Sequence, residues 1–145
     1  MGLPISREVR HDHKYDDTVT LTYDARFLRR KVLKTRNGLE FLVDLSKTAS
    51  VNAGDAFVLE DGRLIAVLPA PEQLLEVRGD LVRLAWHIGN RHMPCQIEPD
   101  RLLIQNDHVI EQMLCQLGAS VTSVTEPFTP EGGAYGHGRT HSHAH

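Results

Sequence analysis

An α+β chain is expected, built as a small β-rich N-terminal domain (1–70), a ferredoxin-like βαββαβ domain (71–128) and a flexible, histidine-rich C-terminal tail (129–145). Three observations predict it. Two Gly-containing turn signals, Asn37-Gly38 and Asp61-Gly62, sit between runs of alternating apolar residues in the first half. Past Pro69-Ala70-Pro71 the apolar spacing shifts to a helical period interleaved with short strand-like runs. The last nine residues then carry histidine at four places and no periodicity.

Taken in order, residues 18–23 alternate β-branched and other side chains and read as a strand, while 27–33 suit either a strand or a short helix. Asn37-Gly38 predicts a hairpin into a strand over 39–45. Residues 56–60 and 63–68 flank Asp61-Gly62, a second hairpin with type I′ chemistry. Short strands joined by tight turns imply an antiparallel barrel or sandwich. The two prolines at 69 and 71 stop the ladder, because proline lacks the donor a central strand needs.

Residues 74–78 read as a strand, and Asp80 can cap a helix carrying Leu81, Leu84, Ala85 and Ile88, with Gly89-Asn90 at its end. Two strands follow at 95–98 and 101–105 around Pro99-Asp100. Asn106 or Asp107 can cap a second helix whose stripe is Val109, Ile110, Met113, Leu114 and Leu117, closed by Gly118. Residues 119–125 make a last strand.

Of the 145 residues, 41% are hydrophobic and 24% charged, which argues against disorder over most of the chain. The longest apolar runs, as at 64–68, fall far short of the ~18–20 residues that span a bilayer, and no charged-then-apolar leader opens the sequence. A cytoplasmic protein without membrane contact is therefore expected. Cys95 and Cys115 are too few for a disulfide framework and lack CxxC spacing. From Leu75 onward there are 5 Lys+Arg against 8 Asp+Glu, together with seven of the nine histidines. That balance suits cations rather than a nucleic-acid surface, which needs clustered positive charge. Nor do 95–98 and 101–105 carry the aromatics on which a ferredoxin-like sheet stacks bases. No nucleic-acid partner is expected.

Histidine carries the candidate chemistry. His137, His141, His143 and His145 stand close enough in the tail for several imidazoles to meet on one borderline divalent ion. A purification tag would instead be a run of about six consecutive histidines. His87 and His92 are five residues apart, about 140° around a helix, so HExxH-type zinc chemistry is absent. If the helix ends at Gly89-Asn90, His92 projects from a loop as binding residues tend to, whereas His87 reads as a core or half-buried histidine. His108 opens the second helix as either a surface residue or an accessory ligand. It is about 10 Å along the axis from Cys115, which reads as a small core residue. His11 and His13 fall in a polar run and read as solvated. The basic residues Arg26, Arg29, Arg30, Lys31, Lys34 and Arg36 could meet an acidic partner or RNA, but better suit a solvated edge strand that resists aggregation. There is no Gly-rich phosphate loop, GxSxG elbow or CxxC pair, so no enzyme is expected.

The run Gly89-Asn90-Arg91-His92-x-Pro94-x-Gln96, after a short apolar helix and before two strands, resembles the signature of the urease accessory protein UreE family, nickel metallochaperones. Gly54-Asp55, Glu60-Asp61-Gly62, Val67, residues 74–77 and the histidine-rich end extend the resemblance over nearly the whole chain. It implies a peptide-binding N-terminal domain, a ferredoxin-like metal-binding domain and a homodimer. It further implies that His92 is the principal nickel ligand near the two-fold axis, that tail histidines complete or extend the site, and that His108 matches a position some members use as an auxiliary ligand. Asn106 stands where some members carry a second histidine. Nickel(II) would pass to the urease apoprotein with a urease accessory GTPase as partner. Zinc(II) and copper(II) would compete for the same nitrogens. The alternative is a general divalent-metal buffer or storage protein with no dedicated client.

Overall fold

The computed structural model describes residues 2–11 and 14–132. The chain divides into two compact units, the first running through Ala70 and the second starting at Pro71. The first holds six strands: β1 (Ile5–His11), β2 (Asp17–Leu21), β3 (Phe27–Lys34), β4 (Glu40–Ser50), β5 (Asp55–Leu59) and β6 (Leu64–Pro69). They form one sheet in the order β2-β6-β5-β1-β4-β3. Side chains from both edge strands join a single core, Val19 and Leu21 from β2 with Leu28 and Leu33 from β3, so the sheet curls around its own apolar face. Phe41 and Phe57 fill the centre, their rings tilted with centroids 5.7 Å apart. Just past β3, the Arg36 N–H donates to the Thr18 carbonyl at 2.9 Å and ties the two ends together.

Three expectations are corrected here. The sheet is not purely antiparallel: β1 pairs parallel with β4, and β2 with β6. Tight turns reveal only sequence neighbours, and both parallel pairs join strands far apart in the chain. The hairpin turns are not type I′ either. Gly38 and Gly62 take positive φ (both 92°), but among the described residues His92 is the sole non-glycine that does. A turn with one left-handed position, filled by glycine, suffices. Third, Arg26 does not belong to the exposed basic stretch. It is buried, donating to the Leu21 carbonyl at 3.0 Å and lying against the Tyr23 ring.

The second unit runs β7 (Pro71–Arg78), α1 (Leu81–Asn90), β8 (Gln96–Ile97), β9 (Leu102–Gln105), α2 (His108–Gln116) and β10 (Ser120–Pro127). Its sheet order is β10-β7-β9-β8, with every neighbouring pair antiparallel. The prolines at 69 and 71 stand at strand ends, where a missing donor costs least. Alternation along β7 and β9 sends Leu75, Val77, Leu102 and Ile104 to one face, where Leu84 and Ile88 of α1 meet Ile110 and Leu114 of α2. Leu74, Leu103 and Phe128 are buried as well. Asp80 and Asp107 cap the helices, accepting from the backbone N–H groups of Arg83 and Ile110. Val109 leaves the predicted stripe and is 62% exposed, and Cys115 is exposed rather than in the core. With Ile110 and Leu114 facing inward, both positions turn outward on so short a helix. No helix among the described residues is long and apolar enough to cross a membrane.

Candidate metal centre

His92 owes its position to the way α1 ends. Asn90 is the last helical residue and Arg91 the cap. The His92 N–H then donates to the Gly89 carbonyl at 2.9 Å, and the Met93 N–H to the Ile88 carbonyl at 3.3 Å. These two bonds make a Schellman motif, which places its first residue beyond the cap in the left-handed region. That residue is His92, at φ 61°. Glycine usually fills such a place, because a Cβ there crowds the backbone. The sequence suggested Gly89-Asn90 for the helix end, and the helix ends there; the left-handed position beyond the cap falls to His92.

The flanking residues hold that geometry. Met93 is partly buried and packs against the core to which Ile88 belongs, the apolar contact that accompanies this motif. Pro94 restricts its own φ and keeps Met93 extended, stiffening the loop. His92 is exposed, at the C-terminal end of a ten-residue helix. A helix C-terminus carries partial negative charge and favours a cation. An exposed imidazole in a rigid loop at that end offers an accessible nitrogen ligand without forming a cage.

The other candidates are dispersed. His108 is the first residue of α2 and exposed, its Nε2 3.2 Å from the Gln112 amide nitrogen. It lies at the positive end of a helix, the less favourable end for a cation. His87, read from sequence as core or half-buried, is half-buried and meets the edge of Trp86 with ring centroids 5.1 Å apart. His11 Nδ1 lies 3.4 Å from Asp55 Oδ1 on the first unit. Cys95 is partly buried, and burial, with Glu131 nearby, pushes its thiol up to about 11, which disfavours the thiolate a metal needs. His137, His141, His143 and His145 lie outside the described residues, as does His13. Among the described residues, no three His, Cys, Asp or Glu side chains converge on one point.

Sequence reasoning missed the structural part of Gln96. Its Nε2 donates to Glu98 Oε2 at 2.8 Å, and its Oε1 accepts the Thr129 N–H at 2.8 Å. The Glu131 N–H donates to the Cys95 carbonyl at 2.9 Å. Residues 129–131, assigned from sequence to the mobile tail, are thus held against 95–96. Behind them, Arg101 binds Glu98, Glu76 and Glu126 at 2.7–2.9 Å. Hydrogen bonds from Arg101, and from Arg78 for Glu76, hold the Glu76 and Glu126 carboxyls below the usual range.

Comparison with known proteins accords with this arrangement. Models of the N-terminal and C-terminal domains of the UreE urease accessory protein match residues 4–70 and 72–145. The urease accessory protein UreE of Ruegeria pomeroyi is 65% identical over 149 aligned positions, covering the whole of both chains. That of Ruegeria sp. TM1040 is 64% identical over 90% of this chain and 75% of its own. For Rhodobacter capsulatus UreE the identity is 61%, over 89% of this chain and 83% of that one. The exposed, left-handed His92 therefore sits within a chain matched from end to end, and this protein belongs to the UreE urease accessory protein family.

Proposed function

We propose that this accessory protein is a cytoplasmic nickel metallochaperone, without enzymatic activity, that carries Ni(II) to the urease apoprotein in concert with the urease accessory GTPase. The observation that carries the reading is His92: an exposed imidazole held rigidly at a helix C-terminus, in a backbone conformation that glycine would adopt at lower cost. Strain kept at an exposed side chain points to a use for that side chain. In a two-fold dimer of ferredoxin-like domains, one such residue per chain becomes a pair of ligands across the axis. Two imidazoles leave coordination positions for His137, His141, His143, His145 or water, with His108 as an accessory ligand, so the ion is held and still exchangeable. Copper(II) binds such nitrogens more tightly than nickel and zinc(II) competes, so selectivity rests on geometry, metal supply and partners.

Nickel titration with simultaneous mass measurement tests this reading. Nickel is expected on a dimer, with tight uptake lost in His92→Ala; undiminished tight uptake by that variant would place the site elsewhere. Nickel transfer to apo-urease, with and without the protein, separates delivery from simple buffering.

A further inference from the structure

An open strand edge is a template for another strand, and folded proteins blunt it with charge, proline, a bulge or a covering segment. β3 carries Arg29, Arg30, Lys31 and Lys34 and a register shift between Leu28 and Arg30. β2 is five residues long and opens on Asp17, and its Thr18 carbonyl takes the Arg36 N–H. β8 has two residues, and the segment after β10 lies against it: Thr129 bonds the Gln96 side chain, and the Glu131 N–H meets the Cys95 carbonyl. Over residues 120–125, β10 has none of these devices among the described residues. Its eight residues pair with β7 without a register shift, and Glu126 is its one charge. Ser120, Thr122, Ser123 and Thr125 are all exposed.

The sequence of this edge, Ser-Val-Thr-Ser-Val-Thr, suits strand pairing, since four of its six residues are β-branched. Ser120, Thr122, Val124 and Glu126 lie opposite Arg78, Glu76, Leu74 and Glu72 of β7, on the sheet face away from the helices. When two copies of one strand pair antiparallel about a two-fold axis, one residue meets its own counterpart, and that residue sets the register. Charge selects it here. Centred on Ser123, the pairing sets Thr122 against Val124, Val121 against Thr125, and Ser120 against Glu126 of the other copy. Beyond Ser120 stands Arg78, so each carboxylate approaches a guanidinium across a small side chain. Centred on Val124, the same carboxylate would face Thr122 with Glu76 beyond it, like charge toward like. Centred on Thr122, it would fall opposite Gly118, outside the strand.

We infer that the β10 edge is an interaction surface for a second copy of this chain, which adds antiparallel across it with the two-fold axis at Ser123 and joins two four-stranded sheets into one. The inference goes beyond the nickel-carrier reading and does not rest on it. β10 and β8 are opposite edges of the sheet, and His92 lies in the loop before β8, so this contact is separate from pairing through His92. Cross-strand pairs of β-branched and hydroxyl side chains contribute little singly, and an edge-to-edge contact buries less surface than a standard interface. The association is therefore weak and dependent on concentration.

The test is sedimentation of the full chain with EDTA present and no metal, from about 1 μM to about 1 mM, beside its Ser123→Lys and Ser123→Glu variants and their equimolar mixture. Ser123 is exposed, and in the proposed register its two copies face each other with Cβ atoms about 5 Å apart, where like charges repel and opposite charges attract. The mean mass of the parent should rise about two-fold across the range. Each variant alone should lose that rise while keeping any pairing made elsewhere, and the mixture should regain it, which also shows that both variants fold. Variants that associate as the parent does would overturn the inference, and so would a mixture no heavier than its components. A parent whose mass stays constant would overturn it too and leave the edge to an extended segment of another protein.

Discussion

Replacing His92 by glycine should separate stability from function. At φ 61° a residue with a Cβ incurs about 1–2 kcal/mol relative to the right-handed region. Glycine relieves that strain but loses about 0.5–1 kcal/mol of extra unfolded-state entropy relative to alanine. Between His92→Gly and His92→Ala, both lacking the imidazole, the glycine variant should therefore be more stable by about 0.75 kcal/mol. For a unit of this size that is roughly 3–6 °C in Tm. Thermal unfolding of the two variants side by side measures it, with nickel titration in parallel. Both should lose tight nickel binding while only one gains stability. Equal stabilities, or a less stable glycine variant, would refute the claim that backbone strain is stored at this position.

Asp107→Ala should destabilise by about 1 kcal/mol in urea unfolding, since its carboxylate caps α2, whereas Asn106→Ala should change little. Arg101→Met should lower Tm by several degrees at neutral pH and flatten the acid limb of stability. Glu76 and Glu126 have carboxyls lowered from 4.5 by bonds to Arg101. Their contribution is therefore fully present above that value and lost as pH falls through the folded ones. An unchanged acid limb, measured by unfolding from about pH 3 to 7, would assign that sensitivity to other groups. Nickel affinity should fall below about pH 6, because an ordinary imidazole protonates near ~6.5. A flat response there would exclude histidine ligation.

Much of the second unit was legible because its signals are local. Asp80 and Asp107 stand before helical spacing, and both helices form where that spacing begins. Less could be read in the first unit. β1 is Ile-Ser-Arg-Glu-Val-Arg-His, where Ser6 is the one fully buried residue, so no apolar alternation announces it. Its place between β4 and β5 is set by partners dozens of residues away. At the candidate site, the GNRH-x-P-x-Q spacing named His92 but not its backbone conformation. Gly89 and Asn90 tolerate the left-handed region better than histidine, so propensity alone selects the wrong residue. The hold of Gln96 on residues 129–131 joins segments 33 positions apart, which no periodicity records.

The parallel pairs of the first sheet also govern how this protein is made. β1 must meet residues 42 and 43, and β2 must meet residues 65–69, before either acquires its full complement of neighbours. As the chain emerges during synthesis, the earliest strands wait for the latest ones, and such non-local pairing folds slowly. In that interval the Leu- and Val-rich segments are open to association with other chains. β3, at the sheet edge and carrying Arg29, Arg30, Lys31 and Lys34, gives the nascent domain a repulsive border while it awaits closure.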